Sequence, residues 1–171
     1  ELLQANFSTW ENSKTAQFLT LMQNTSESAF RLLENLLHWS RSQSGMISFH
    51  PSSRYVHDVL MIASDEMKSM AENKQVRLNL ELEDNDQLQV FADLTMLSLV
   101  LRNLITNAIK FSEKGSQVKI NVSTPDKAFA LFAVCDQGVG IRPDDLKKLF
   151  GGEHYSSTPG TEGEKGTGLG L

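Results

Sequence analysis

The chain has 171 residues, 40% of them hydrophobic, with a formal net charge of −5 and a pI near 5.4. That size suffices for one ordinary core with a smaller appended element, and the acidic balance excludes a broad cationic surface for nucleic acid or anionic membrane. No apolar run reaches the ~20 residues of a bilayer span, and Glu1-Leu2-Leu3-Gln4 lacks the basic start and apolar core of a signal peptide.

Cys135 is the single cysteine, so no intrachain disulfide forms, and its neighbours Phe132-Ala133-Val134 predict a buried thiol in a reducing compartment. These features read as cytoplasmic, and any inner-membrane anchor of a longer parent falls outside this stretch.

In chain order, Phe18, Met22, Thr25, Ala29, Leu32, Leu36 and Trp39 step by fours and threes, the seam of a long helix. Asn12 or Ser13 caps its start and Gly45 with Pro51 ends it, which predicts a helix over 13–44. Leu33 and Leu37 widen the stripe, and a helix so apolar along one side calls for partners in a hairpin or dimeric bundle. Burial as a core helix of one domain is the competing reading.

Ser52 and Ser53 offer caps for a second helix with Val56, Val59, Ala63, Met67 and Met70 on one face, ending near Asn73. Val76, Leu78, Leu80 and Leu82 then alternate with polar residues as a half-buried strand does, and Asp84-Asn85-Asp86 makes a turn. A short strand at Leu88–Phe91 leads to Asp93, the cap of a third helix that turns Met96, Val100, Leu104 and Ala108 inward. Val118, Ile120 and Val122 form another alternating strand, and the continuous apolar run Phe129–Cys135 predicts a central strand covered on both faces. From Phe150 to Lys165 glycine and charge prevail without hydrophobic period, as in a mobile loop. The mixture lacks regular βαβ alternation and predicts an α+β fold, a two-layer sandwich of a mixed sheet and helices preceded by the long helix.

Three short motifs carry candidate chemistry. On the third helix Asn103, Asn107 and Lys110 share one stripe. An Asn amide oxygen is a hard neutral ligand suited to Mg²⁺, and Lys110 can neutralise phosphate; the same three residues also suit a plain solvated face. Asp136-Gln137-Gly138-Val139-Gly140 follows directly on the apolar strand. Its Asp can accept from an exocyclic amine such as that of adenine, and its glycines permit close backbone approach; a tight strand-to-helix turn needs only the glycines. Gly166-Thr167-Gly168-Leu169-Gly170-Leu171 can present backbone N–H groups to phosphate. Its Gly-x-Gly-x-Gly spacing after a polar loop does not suit a dinucleotide fold, and no Gly-Lys-Ser/Thr of a Walker loop is present.

Taken together and in this order, the motifs resemble the N box and the first and second glycine boxes of the histidine-kinase ATP-binding domain, kin to gyrase-type and mismatch-repair ATPases. The resemblance covers roughly Ser52 to Leu171, and Leu33-Glu34-Asn35-Leu36-Leu37-His38-Trp39-Ser40-Arg41 is similar to the second helix of the family's dimerisation and histidine-phosphotransfer domain. It implies residues 1–47 as part of that helical hairpin and 48–171 as the ATP-binding catalytic domain, truncated after the second glycine box. It further implies ATP and Mg²⁺ as cofactors, with Asn107 on the metal, Asn103 lining the same site, Lys110 on phosphate and Asp136 on adenine. Gly138, Gly140 and Ile141 would shape the purine pocket, Phe150 would match the F box, and Phe150–Lys165 would be the ATP lid. Gly166, Thr167, Gly168, Leu169 and Gly170 would close over the phosphates. The implied partners are a phosphotransfer histidine segment, a receiver domain or response regulator, and a second copy joined through the N-terminal helix.

At the position where the hydrolysing relatives carry a water-activating Glu this chain has Asn103, an amide that cannot serve as a general base near neutral pH. That disfavours a gyrase-type hydrolase; a degenerate nucleotide-binding dimerisation scaffold is the other alternative, opposed by intact Asn107, Lys110 and Asp136. None of the four histidines carries the acceptor pattern of histidine, acid, apolar, base and then proline. His57-Asp58-Val59 imitates its opening, but Leu60 replaces the base and Ile62 the proline. The resemblance thus puts the acceptor upstream of Glu1 and predicts that this stretch does not phosphorylate itself.

Overall fold

A computed structural model describes residues 14–23, 25–26, 29–30, 33, 48–82, 87–126, 128–146, 149 and 158–164. Two compact units divide the chain, Glu1–Ile47 and Ser48–Leu171.

In the first unit every described residue is helical. Phe18 is half-buried, while Met22, Thr25, Ala29 and the neighbouring Leu19, Leu21, Phe30 and Leu33 are exposed. Leu32, Leu36, Leu37 and Trp39 of the predicted seam lie outside the described residues.

The second unit runs β1 (Ser52–Tyr55), α1 (Val56–Lys74), β2 (Arg77–Leu82), β3 (Gln89–Ala92), α2 (Leu94–Phe111), β4 (Gln117–Ser123), β5 (Leu131–Cys135) and α3 (Pro143–Leu146). β1 and β3 pair antiparallel; in the other sheet β4 lies between β2, parallel to it, and β5, antiparallel to it. The fold is therefore α+β, with a mixed sheet layered against helices.

The core lies where α1 and α2 meet one face of β4. Val118, Ile120 and Val122 are buried there with Val56, Val59, Leu60 and Ala63 of α1 and Leu101, Ile105, Ala108 and Ile109 of α2. Each of the larger side chains contributes about 1.5–3 kcal/mol by leaving water.

Two helix termini are set by identifiable groups. Asp93 caps α2, its carboxylate accepting the N–H of Met96 at 3.1 Å and that of His50 at 2.9 Å. Those backbone donors, His50 first, hold its pKa below the ordinary 3.8. At the end of α1, Gln75 adopts φ 58° and donates its N–H to Ala71 and Glu72, the left-handed cap that stops the helix.

Four expectations are corrected. Ser52 and Ser53 do not cap α1: they pair with Ala92 and Phe91 as strand β1, and Tyr55 occupies the cap without a side-chain hydrogen bond. The apolar run ending at Cys135 is not the central strand, because β4 takes that place and β5 lies at the edge of the three described strands. Phe132 and Val134 pack on the core, while Phe129 and Leu131 are 71% and 54% exposed. Periodicity does not distinguish two covered faces from one covered face and an apolar outer one. Cys135 at the strand end is exposed, not buried. On α2 the inward stripe is rotated: Leu101, Ile105, Ala108 and Ile109 are buried, Met96 and Leu104 are half-buried, and Val100 is 54% exposed. The helix is apolar over so much of its circumference that spacing admits more than one inward face. Asp84, Asn85 and Asp86 lie outside the described residues.

Candidate nucleotide site

The stripe of Asn103, Asn107 and Lys110 runs toward the carboxyl end of α2, all three residues half-buried. Neither Asn side chain makes a hydrogen bond among the described residues, so both amides retain their oxygens for a ligand. Lys110 does not stand free: its Nζ donates to the Thr158 carbonyl at 3.1 Å and lies 4.7 Å from the centre of the Phe111 ring. Burial lowers its pKa from the ordinary 10.5, with Glu164 opposing that shift and Lys74 adding to it.

The loop after β5 is fastened to the same helix end by main-chain groups. Gly138 forms an antiparallel bridge with Ser112, and the N–H of Val139 donates to the Phe111 carbonyl at 3.3 Å. Asp136 is exposed, and one carboxylate oxygen accepts the N–H of Gly138 at 2.8 Å. This aspartate turn fixes the carboxylate and leaves its second oxygen available. Gly138 is required by contact, since a Cβ there would overlap the Phe111 carbonyl oxygen; Gly140 is required by its φ of 68°. Ile141 is 52% exposed just beyond.

A third segment, residues 158–164, folds onto the same end. The N–H of Thr161 donates to the Lys110 carbonyl at 3.2 Å, and its Oγ1 donates to the Ser112 carbonyl at 2.7 Å. Gly160 donates its N–H to the Glu164 carbonyl at 2.8 Å, and Gly163 donates to the Gly160 carbonyl at 3.0 Å, closing a turn. Lys74, at the end of α1, donates to the Lys110 carbonyl at 2.5 Å and pairs with the Glu164 carboxylate at 2.6 Å.

The structure thus gathers Lys110, Asp136 and Gly138 around one helix end, with Asn107 a turn away and Asn103 two turns away. Phe150, Gly166, Thr167, Gly168, Leu169 and Gly170 lie outside the described residues. The expectation of a mobile loop over Phe150–Lys165 gives way, over residues 158–164, to a turn hydrogen-bonded to α2. Sequence reasoning missed Lys74, Thr158, Thr161 and Glu164. Only the basic residue in the last turn of α1 hinted at one of them. An open hollow of about 310 Å³ is lined by Tyr55, His57, Asp58 and Gln87 and includes none of the motif residues.

Residues 92–171 match the family of histidine kinase-, DNA gyrase B- and HSP90-like ATPases. The sensor histidine kinase WalK of Bacillus subtilis is 31% identical over 164 residues, 95% of this chain and 26% of WalK. The chain thus spans about a quarter of that relative's length. Among solved structures, full-length ShkA in complex with AMPPNP is similar with TM-score 0.72 and 23% identity, over 95% of this chain and 33% of ShkA. Histidine kinase ThkA in complex with the response regulator protein TrrA is similar with TM-score 0.69 and 18% identity, over 93% of this chain and 45% of that chain. At those identities the two structures speak to fold alone. The family match runs through both glycine motifs, so residues 92–171 form an ATPase domain of the histidine kinase-, DNA gyrase B- and HSP90-like family, and along nearly its whole length the chain is similar to sensor histidine kinases.

Proposed function

We propose that the second unit binds ATP with Mg²⁺ and directs the γ-phosphoryl group to a histidine on a phosphotransfer segment, for relay to a receiver aspartate. The observation that carries this reading is the pairing of Gly138 and Val139 with Ser112 and Phe111. It ties the Asp136 turn to the helix that bears Asn103, Asn107 and Lys110.

The residues fit the ligands. Two half-buried amide oxygens without partners among the described residues are what a hard cation that keeps its waters and phosphate oxygens requires. Asp136, pinned by Gly138, has an oxygen to accept from an adenine amine, while Gly138, Gly140 and Ile141 border the purine. Lys110 supplies positive charge for phosphate once it leaves Thr158. Bound ATP supplies the phosphoryl group, and Mg²⁺ neutralises charge on its oxygens. The protein's own contribution is positioning and electrostatics. Asn103 cannot take a proton from water, so the site favours a separate nucleophile over hydrolysis.

None of the four histidines in this stretch carries the acceptor pattern, so in this reading the phosphorylated histidine is that of a phosphotransfer segment outside residues 1–171. Exposed Met22, Leu19 and Phe30 on the N-terminal helix suit a homodimer seam. A nucleotide and a receiver are also the ligands of two proteins that share this fold, ShkA with AMPPNP and ThkA with its response regulator. A cytoplasmic setting suits that chemistry.

The test is titration of the chain with ATP, with and without Mg²⁺, and phosphorylation of an added phosphotransfer segment. Asp136→Asn and Asn107→Ala should each weaken binding by at least about tenfold, the worth of one lost directed contact. The added segment should acquire an acid-labile phosphate. Unchanged affinity in both variants would remove the reading.

A further inference from the structure

Lys74 belongs to none of the three motifs, yet it is 5% exposed and its ammonium lies where two segments of chain meet. The Lys110 carbonyl belongs to the last turn of α2, where no intrahelical donor remains for it and the helix end carries partial negative charge. Lys74 Nζ and the N–H and Oγ1 of Thr161 converge on that oxygen. The same ammonium pairs with one Glu164 oxygen, and the other accepts the N–H of Glu162 at 2.9 Å. Gly160 sits so close that a Cβ on it would overlap the Glu164 carboxylate and crowd the Lys110 carbonyl. A charged lysine is rarely buried without such pairing, and here both partners belong to a junction that leads into Lys165 and the glycine run.

We propose that Lys74 is a positioning residue for the phosphate side of the nucleotide site: through Glu164 and the Lys110 carbonyl it anchors the 158–164 turn, whose Thr158 carbonyl in turn holds the Lys110 ammonium. The inference deepens the ATP-binding reading and rests on it for its functional half; the anchoring half stands on the hydrogen bonds alone. Lys74 acts through the turn and touches no phosphate. The adenine side, built by Asp136 and Gly138, is held by separate bonds, so loss of the anchor acts on one half of the ligand.

The experiment compares the wild-type chain with Lys74→Met, Lys74→Arg and Glu164→Gln. The readouts are amide exchange of Gly160, Thr161, Glu162 and Gly163 without nucleotide, and affinities for Mg²⁺-ATP and for adenosine. Lys74→Met should accelerate exchange at those amides and weaken ATP by about tenfold while leaving adenosine within about twofold. Glu164→Gln should do the same to a smaller degree, and Lys74→Arg should restore much of the protection. Unchanged exchange in both Lys74→Met and Glu164→Gln overturns the anchor. Equal weakening of ATP and adenosine overturns the positioning role and leaves Lys74 a general stabiliser. If the wild type bound neither ligand while exchange responded as described, the nucleotide reading and with it the positioning role would fall, and the anchor would stand.

Discussion

Residues 136–139 dock on the carboxyl end of α2 through main-chain groups, whereas residues 158–164 dock on the same end chiefly through side chains. The first contact is a backbone bridge between Gly138 and Ser112 with a further bond from Val139 to Phe111. The second is made by Lys74, Thr161, Lys110 and Glu164. Main-chain pairing tolerates a change of charge but not of shape, because only a residue without a Cβ admits the close approach. Side-chain docking is sensitive to charge as well, with a close approach of its own only at Gly160. One helix end therefore carries a shape-locked segment on the proposed adenine side and a charge-locked segment on the proposed phosphate side.

The largest expected effect comes from breaking the shape-locked half. Gly138→Ala puts a methyl group into the Phe111 carbonyl and against the Asp136 carboxylate, so the strand-to-loop exit must shift. Overpacking of this kind costs about 1–3 kcal/mol, and the Val139 amide should lose its protection from exchange. Urea unfolding of the variant and the wild type checks the first, and amide exchange the second. A variant as stable as the parent with Val139 still protected would mean that the close approach is not what fixes the loop.

The same contrast explains what was legible in the sequence. Gly138 and Gly140 could be read because a glycine pair after an apolar run has few structural meanings, and Asp93 because an acid before a long apolar helix is a capping signal. The α+β class followed from alternation in the strands and helical spacing elsewhere. β1 was illegible because its four residues SSRY are mostly exposed and resemble a helix cap; only pairing with the distant β3 makes them a strand. The order of β4 and β5 was illegible for the same reason, since position within a sheet is a long-range property. At the site, Lys74 and Glu164 stand 90 residues apart, and no local pattern relates a lysine at the end of one helix to a glutamate in a glycine-rich loop.

A smaller effect is expected from Thr161→Val, which preserves shape and removes only the hydroxyl. That hydroxyl donates to the Ser112 carbonyl at 2.7 Å and approaches the Lys110 carbonyl at 3.3 Å. The loss should be about 1 kcal/mol, the ordinary net worth of a hydrogen bond, because the Thr161 N–H and Lys74 still satisfy Lys110. The sharper measure is local: exchange at Thr161 and its neighbours should rise while Val139 stays protected. Equal loosening of both segments would show that they form one cooperative unit and erase the distinction drawn between them.

The smallest effect, and the most selective, is that of acid. Burial alone would raise the Glu164 carboxyl, but the Lys74 ammonium and nearby backbone N–H groups outweigh it and hold the pKa below the ordinary 4.5. A carboxyl depressed in the folded state contributes stability that is fully present above its unfolded value and is lost as pH falls through the folded one. The 158–164 turn should therefore be tightest above about pH 4.5 and loosen progressively below it. With a Glu164 side chain 37% exposed, solvent screening keeps the contribution under about 1 kcal/mol. Protection factors, corrected for the intrinsic pH dependence of exchange, should fall at Gly160, Thr161 and Glu162 on acidification, whereas that of Val139, held by a neutral carbonyl, should fall only with global unfolding. Glu164→Gln should flatten the response of the turn. Asp93, also depressed by the bonds it accepts, loosens the opposite end of α2 as pH falls below about 3.8 and does so in that variant too, which makes it the internal control. A turn whose protection fell equally with pH in Glu164→Gln and in the parent would owe its anchoring to the threonine and the backbone, with the Lys74 pair contributing nothing measurable.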